Sequence, residues 1–227
     1  MSDRAHRWAG CANVRDLGGL RLVGGGRTRR GRVIRADAVA KLTAEGRAAM
    51  RRHGVRRVVD LRTQEEAAGE PGLSGVEVVR VPIRPSGPTD PLWPELTAAY
   101  DAAPDPGHGL RDFLLDGLGR WPEAYAAAVG AIGAPGNGAV VVQCAAGRDR
   151  TGVACALLLE AAGVERDAIA ADYALTPAME GQAAPPPWVI EAVLGELDRG
   201  HGGARAYLLS AGLEESALAA AVARLTV

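Results

Sequence analysis

The sequence lacks features that mark several broad classes of protein. It has no excess of one charge, since 26 Lys and Arg residues face 27 Asp and Glu residues. A balanced charge gives no reason to expect nucleic-acid binding or an acidic interaction tail. Its longest apolar run, over residues 153–162, would cross only about half of a bilayer. We therefore expect neither a nucleic-acid partner nor an integral membrane segment.

Cysteine and histidine are also sparse. The three cysteines are an odd set, which suits a reducing cytosol better than a disulfide framework. The four histidines are scattered, and no spacing of His, Cys or Asp indicates a metal site, so we predict none. The polar first ten residues contain no apolar core of a signal peptide. These features predict a cytoplasmic location and leave export without a signal peptide open.

What is present suits one compact domain over residues 1–227. Hydrophobic residues make up 48% of the chain, enough for a substantial core. Val-rich runs bounded by Gly or Pro predict buried strands at residues 55–61, 76–83 and 139–144, with a possible fourth at 33–35. Helical patterns cover residues 43–52, 110–132, 151–162, 167–175, 188–199, 204–210 and 214–225, and a Thr63–Glu66 capping box predicts one more short helix.

The order of these elements indicates the fold class. Strands alternate with helices early in the chain, and only helices follow, over about residues 176–227. This order predicts an α/β fold with a mostly parallel central sheet and helices on both faces. Residues 84–109 are the least regular part, with six prolines, and could form either a mobile lid over a site or a surface loop.

The most informative stretch is the end of the third Val-rich strand. The strand ends in Cys144, Arg150 follows after five residues, and Thr151 then begins a long apolar helix. A loop between a strand and a helix N-terminus points several backbone N–H groups at one spot, and the helix dipole adds positive potential there. Such a cradle fits a phosphoryl dianion, so the stretch predicts a phosphate site.

Each residue type in this loop has a chemical reason to be there. The planar Arg150 fork can bind two phosphate oxygens, and the positive field favours a Cys144 thiolate that attacks phosphorus. The Thr151 hydroxyl is placed to donate to that sulfur and stabilise it as a leaving group. Oxyanion-type donors would be the backbone N–H groups of Ala145, Ala146, Gly147, Arg148, Asp149 and Arg150.

Four stretches of the chain resemble elements of one known family, and they occur in the same order as in that family. Residues 144–152 (CAAGRDRTG) are similar to the C-x-x-G-[K/R]-D-R-T-G loop of the bacterial tyrosine/lipid phosphatases, within the protein tyrosine phosphatase superfamily. Residues 13–19 (NVRDLGG) and 31–36 (GRVIRA) resemble its N-[F/x]-R-D-[L/V]-G-G and G-R-[L/V]-[F/Y]-R-[S/A] elements. Residues 58–62 (VVDLR), with Glu65, resemble its D-L-R-[S/T]-x-x-E element. The resemblance runs from about residue 8 to residue 175.

The resemblance implies a mechanism and site residues. It makes Cys144 the nucleophile of a phosphocysteine intermediate, Arg150 the phosphate ligand and Asp149 the group that handles protons. Arg148 lies at the position linked to tolerance of more highly charged substrates. Substrates would be phosphotyrosine, with phosphoserine, phosphothreonine and phosphoinositides as further candidates. This chemistry requires no metal or organic cofactor.

One residue departs from the superfamily pattern. Gln143 stands where most members have a His that orders the loop by hydrogen bonding. A Gln amide offers both a donor and an acceptor and can supply part of that role. We expect a weaker or differently tuned thiolate, not loss of function.

The identity of the general acid has competing candidates. Asp149 could instead be a helix N-terminal acid that pairs with Arg148 or Arg15. Glu95 and Glu123 both follow Trp-Pro, which resembles the W-P-D loop of other tyrosine phosphatases. In both places a Pro at the start of a helix, followed by an acid favoured by the dipole, explains the pattern equally well.

Other polar residues have a structural and a functional interpretation. Arg15 and Asp16 are candidates for contact with the substrate through the family resemblance, or they pin the N-terminal segment by ion pairs. Asp60 and Arg62 end a strand at the edge where α/β ligands bind, but a structural ion pair is the preferred interpretation.

The cysteines are interpreted in the same way. A buried core role for Cys144 is disfavoured by its place at the head of the loop. Cys155 lies within the apolar helix and is interpreted as a core residue. Cys11 could be a redox partner of Cys144, an interpretation that we do not favour.

We therefore predict a cysteine-dependent phosphatase that acts on phosphorylated protein, lipid or small-molecule substrates. Within phosphatases, the alternative is a phosphoinositide or small-molecule phosphatase. A catalytically impaired phosphate-binding module and a rhodanese-like sulfurtransferase are alternatives from other classes, and the Arg-Thr pair after the loop argues against the last.

Overall fold

The computed structural model describes residues 4–84, 90–178 and 183–226. Five strands form one sheet: β1 (Arg15–Asp16), β2 (Val33–Ala36), β3 (Val55–Asp60), β4 (Glu77–Arg80) and β5 (Ala139–Gln143). The strand order is β1-β2-β5-β3-β4; β1 is antiparallel to β2 and every other pair is parallel. The predicted α/β class with a mostly parallel sheet is confirmed.

Helices account for most of the rest of the described chain. They are α1 (Ala44–Arg52), α2 (Trp93–Asp101), α3 (Pro106–Arg120), α4 (Pro122–Gly133), α5 (Asp149–Ala161), α6 (Arg166–Ala174), α7 (Pro187–His201), α8 (Ala204–Ser210) and α9 (Glu215–Thr226), with a 3-10 turn at Val39–Lys41. None of these helices has both the length and the apolar character needed to cross a membrane.

The central strand β5 is buried on both faces and is apolar up to Gln143, whereas the edge strand β4 is only partly covered. In β5, Val140 and Val142 pack into the larger core cluster, which contains α5, while Val141 packs into a smaller cluster with Trp8 and Met50. Alternate residues of a strand point to opposite faces, so an unbroken Val run needs cover on both. The elements that cover the two faces thus hold the end of β5, and with it Cys144, inside the core.

Local sequence signals explain several helix ends. Thr43 caps α1, since its Oγ1 accepts from the N–H of Gly46 at 3.2 Å. The long apolar α5 stops before Gly163, whose φ of +76° favours glycine. The predicted Thr63–Glu66 capping box also forms, with reciprocal contacts of 2.9 and 3.3 Å. It opens a series of turns over residues 64–69, so the helix predicted there is wrong.

Two further expectations need correction. The helix predicted over 110–132 is two helices that meet at Trp121, because Pro122 disfavours helical geometry in the residue before it. The segment 84–109 is not irregular where it is described, since α2 lies within it and α3 begins at Pro106. Residues 85–89 of that segment lie outside the described residues.

Candidate active site

The loop after β5 is pressed tightly against the end of β2. Cys144 follows β5 directly and is buried, and Gly147 turns the loop with a φ of +67°. A Cβ on Gly147 would lie 2.5 Å from the carbonyl oxygen of Ala36, a distance that side chains do not tolerate. Glycine is therefore required here both for the backbone conformation and for space.

Two side chains bind the outer side of this loop. Asn13 Nδ2 donates to the carbonyl oxygens of Ala146 and Gly147 at 2.9 and 3.1 Å, and Arg35 Nη2 donates to Gly147 O at 2.8 Å. Because the C=O and N–H of a trans peptide point in opposite directions, the contacts on Ala146 O and Gly147 O turn the N–H groups of Gly147 and Arg148 toward the inner side. Within the described residues, the Ala146 and Gly147 N–H groups have no acceptor. The loop thus presents free donors, as an anion cradle requires.

Gln143 fixes the neighbouring 3-10 turn against the loop. Its Oε1 accepts from the N–H of Val39 at 2.6 Å, and the side chain is buried. The same turn reaches Ala145, whose carbonyl oxygen accepts from Ala38 N at 3.3 Å and from Lys41 Nζ at 3.1 Å. Gln143 therefore supplies an ordering hydrogen bond at the position where the superfamily has His.

Arg150 is held in place by a paired carboxylate. Its Nη1 and Nη2 atoms donate to the two oxygens of Glu66 at 2.7 and 2.8 Å, and Nη1 also donates to Ile83 O at 3.2 Å. Burial alone would lower the pKa of Arg150, but the Glu66 pair and the nearby Cys144 raise it, so the charge is fixed. The Nε–H and the second Nη2 proton have no acceptor among the described residues. That edge remains for two phosphate oxygens.

Sequence reasoning used Glu66 only for the capping box and missed its role toward Arg150. Glu65, which was matched to the D-L-R-[S/T]-x-x-E element, is exposed. The spacing itself contained the signal, because three residues after Thr63 comes Glu66, not Glu65.

Asp149 begins α5 beside the loop. Its Oδ1 atom is buried and has no hydrogen-bond partner among the described residues, with Arg148 Nε at 3.5 Å. Burial raises the pKa of Asp149 above its usual range, although the charges of Arg148, Arg150 and Arg35 oppose this. The side chain is still 32% exposed, so it can reach a bound molecule. A carboxyl group of this kind can hold a proton and release it.

Thr151 does not make the predicted contact. Its hydroxyl is buried in the first turn of α5 and has no hydrogen-bond partner among the described residues, so no bond to the Cys144 sulfur is present. The role of Thr151 as a donor to that sulfur stays a prediction.

Arg15 lies in a buried ion cluster. Its Nε donates to Asp172 at 3.1 Å, and its Nη1 donates to Asn13 Oδ1. Arg4 and Arg35 bind the same Asp172 carboxylate at 2.7 and 2.9 Å. Burial would raise the pKa of Asp172, but the three arginines hold it well below its usual range. The structure therefore favours the ion-pair interpretation of Arg15 over contact with substrate.

Asp16 is likewise buried and bonded to the protein. Its two oxygens accept from the N–H groups of Gly18 and Gly31 at 2.8 and 2.6 Å. Arg15 and Asp16 are both absent from the described lining of the pocket beside the loop, as are Cys144 and Arg150. Neither Arg15 nor Asp16 is brought to that pocket.

The Asp60–Arg62 pair is structural. Arg62 binds both oxygens of Asp60 at 2.9 Å and also pairs with Glu70. The two rival acids are exposed, at the starts of α2 and α4, where Pro94 and Pro122 occupy first-turn positions.

The other cysteines differ in their surroundings. Cys155 is buried in the core as predicted, and burial raises its pKa to about 12. Burial and Asp37 likewise raise the pKa of Cys11 to about 12, and its sulfur lies 3.5 Å from Ala38 O. Both thiols therefore stay protonated at neutral pH.

A pocket of ≈ 430 Å³ opens beside the loop. Arg148 and Asp149 line it from the loop side, and α2 and α3 contribute the aromatic rings of Trp93, Tyr100 and Phe113. The segment interpreted as either a mobile lid or a surface loop thus consists largely of helix in its described part. Whether it moves over the site stays a prediction.

Comparisons with known proteins agree with this geometry. A family model described as "Tyrosine phosphatase family" matches residues 6–227. A protein named as a tyrosine-protein phosphatase in Cupriavidus necator is 36% identical over 167 residues, which cover 71% of this chain and 59% of the relative. The triple specificity protein phosphatase PtpB of Mycobacterium tuberculosis is 30% identical over 171 residues, covering 64% of this chain and 60% of that protein. The chain thus matches less than two thirds of the length of these relatives.

Proposed function

Because the chain belongs to the tyrosine phosphatase family, we propose that it is a cysteine-dependent phosphatase that hydrolyses phosphate monoesters. The observation that carries this proposal is the arrangement of Arg150. Glu66 holds one side of its guanidinium, and the edge that remains can bind phosphate beside Cys144. The loop adds the inward N–H donors that three oxygens of a phosphoryl group need.

The proposed reaction has two steps. In the first, the Cys144 sulfur attacks phosphorus, an S–P bond forms, and the P–O bond to the leaving group breaks while Asp149 gives its proton to the leaving oxygen. In the second, Asp149 takes a proton from water, whose oxygen attacks phosphorus, and the Cys144 thiolate leaves with inorganic phosphate released. The raised pKa of Asp149 supports the first step, because a protonated carboxyl is needed there.

We propose phosphotyrosine in protein as the preferred substrate. The aromatic rings of Trp93, Tyr100 and Phe113 in the pocket wall suit a phenyl ring better than a short aliphatic phosphate ester. Phosphoserine, phosphothreonine, phosphoinositides and small phosphate esters are the alternatives. Arg148 favours the extra charge of phosphoinositides, but its side chain is buried, which limits its reach. Rates on a phosphotyrosyl peptide and on phosphoinositide vesicles would separate these classes.

The alternative of an impaired phosphate-binding module rested on Gln143 and on the uncertain identity of the general acid. In the structure Gln143 makes a 2.6 Å ordering hydrogen bond to Val39, so the loop keeps its support. We therefore propose turnover, not binding alone. Vanadate binding without hydrolysis by the wild-type protein would favour the module instead.

The proposal is tested by hydrolysis of p-nitrophenyl phosphate in the presence of EDTA, since no step needs a metal. We expect turnover by the wild type and none by Cys144→Ser. Cys11→Ser is the matched control and should retain activity, because that thiol stays protonated. Activity that survives Cys144→Ser would contradict the proposed nucleophile. The predicted cytoplasmic location rests on the sequence alone and stays a prediction.

A further inference from the structure

Two histidines and an aspartate that are distant in sequence meet beside β1, near the start of β2 and away from the phosphate loop. His6 lies in the N-terminal segment, Asp16 in β1, and His53 at the end of α1 just before β3. One ring nitrogen of each histidine and one oxygen of Asp16 all lie within 4.8 Å of one another. The two imidazole rings are 4.4 Å apart between centroids. No spacing in the sequence indicated this cluster.

The two histidines have unsatisfied nitrogens. The Nε2 atoms of His6 and His53 are both buried, and neither has a hydrogen-bond partner among the described residues. A buried polar atom usually has a partner, so two such atoms in contacting rings call for an explanation. Both are nitrogen ligands of the kind that transition metals prefer, and His53 Nε2 faces Gly31, whose N–H binds Asp16.

Hydrogen bonds hold the Asp16 carboxylate in place, and Trp8 packs against the two histidines. The N–H groups of Gly18 and Gly31 hold the Asp16 carboxylate, as outer contacts hold metal-binding carboxylates in known sites. Trp8 stacks on His6 at 5.6 Å and meets the edge of His53 at 5.9 Å.

We propose that His6, Asp16 and His53 form a binding site for a divalent transition-metal ion such as Zn²⁺, with water as the fourth ligand. Zinc–ligand bonds of about 2.0–2.2 Å place ligand atoms about 3.3–3.5 Å apart. Side chains that start within 4.8 Å of one another therefore need to close by about 1.5 Å at most. The ion would join the N-terminal segment to β1 and α1. The same segment carries Asn13, which binds the carbonyl oxygens of the phosphate loop.

The proposed metal site is separate from the phosphate loop. Asp16 pairs with Ile34 near the start of β2, and Cys144 follows the far end of the parallel β5. Its role would be structural, so the expected readouts are metal binding and stability. They do not depend on whether the protein hydrolyses phosphate esters.

The test uses tag-free, metal-stripped protein in a Cys144→Ser background, so that the loop thiolate cannot bind the ion. Titration with Co²⁺ should give the visible absorption of a site with nitrogen and oxygen ligands, saturating at one equivalent. Zn²⁺ at about 100 times its Kd should raise Tm by about 5–10 °C. His6→Gln and His53→Gln should each weaken binding by about 100-fold or more, beyond the 10- to 100-fold cost of losing an outer-shell contact.

His108→Gln, on the exposed start of α3, is the matched control and should bind as the parent does. If His53→Gln fails to fold, His6→Gln decides, because that residue lies outside every helix and strand. No saturable Co²⁺ binding by the parent, or unchanged binding by the folded histidine variants, would overturn the proposal.

Discussion

Asp149 and Asp172 are two carboxyl groups that each lie near three arginines, with Arg35 common to both, yet their states differ. Asp172 accepts from Arg4 and Arg35 at 2.7 and 2.9 Å and from Arg15, and its pKa is lowered. Asp149 has a buried Oδ1 without a hydrogen-bond partner among the described residues, and burial raises its pKa. Burial opposes charge on both groups, so the bonded arginines decide the outcome. One carboxylate is locked as an anion behind the loop, and the other can carry a proton into the pocket.

Arg15 and Arg150 differ in the same way, since one is fully bonded within the protein and the other is not. Burial and Arg35 lower the pKa of Arg15 to about 10, and its nitrogens are bonded to Asp172 and Asn13. Arg150 also has an anionic partner, Glu66, but one edge of its guanidinium remains available. The difference separates groups that support the loop from groups that can act on a substrate.

The largest expected effect is on catalysis by Asp149→Asn. General acid catalysis typically contributes about 10²- to 10⁴-fold, so kcat should fall by that order. The acid acts while protonated, so its contribution is present below its pKa and lost as pH rises through it. Because burial raises that pKa, the alkaline limb of the wild-type profile should lie above the range of an ordinary carboxyl group. The measurement is kcat from pH 4 to 8, and a variant that retains both the rate and the limb would remove Asp149 from the mechanism.

The next effect is on stability, by Asp172→Asn. Removing one partner of a buried ion cluster leaves the arginine charges uncompensated and should cost about 3–5 kcal/mol of unfolding free energy. Urea unfolding measures this, with Asp149→Asn as the comparison that should change by less than about 1 kcal/mol. Equal losses in both variants would erase the contrast between the two carboxyl groups.

The same pair can be compared as a function of pH. Since the folded-state pKa of Asp172 is lowered, its stabilisation is present above the unfolded value of about 3.9 and lost as pH falls through the folded value. Wild-type stability should therefore decline below about pH 4, and Asp172→Asn should lack that part of the decline.

A smaller effect is expected from Glu66→Gln. Loss of a hydrogen bond to a charged group costs about 1.5–3 kcal/mol, so poorer positioning of Arg150 should lower kcat/KM by about 10- to 150-fold. Glu65→Gln is the matched control, because Glu65 is exposed and makes no contact with Arg150. If both variants behave alike, Glu66 does not position the phosphate ligand.

The sequence was sufficient for features that depend on neighbouring residues. Runs of Val predicted β3 and β5, Thr43 and Gly163 marked helix ends, and residues 144–152 predicted the loop between β5 and α5. Each signal is local, because strand alternation, capping and the left-handed glycine conformation involve only a few residues of chain.

Features that depend on distant pairing were missed. The two polar residues of β1 form a strand only because β2 lies beside them. The Arg150–Glu66 pair joins positions 84 residues apart, and Asp172 joins arginines from the first 35 residues. A local sequence pattern does not indicate which charged residues far apart in the chain will pair. The residues that support the phosphate loop could therefore be identified only from the structure.

The most direct test of the account is to trap the intermediate on Cys144. Wild-type protein is mixed with p-nitrophenyl phosphate, stopped by a rapid denaturing quench, digested with trypsin and analysed by mass spectrometry. Cleavage after Arg148 and Arg150 places Cys144 and Cys155 in separate peptides. The account predicts one phosphoryl group on the Cys144 peptide and none on those of Cys155 and Cys11. Hydrolysis with the phosphoryl group on another residue, or with none on Cys144 at any quench time, would contradict it.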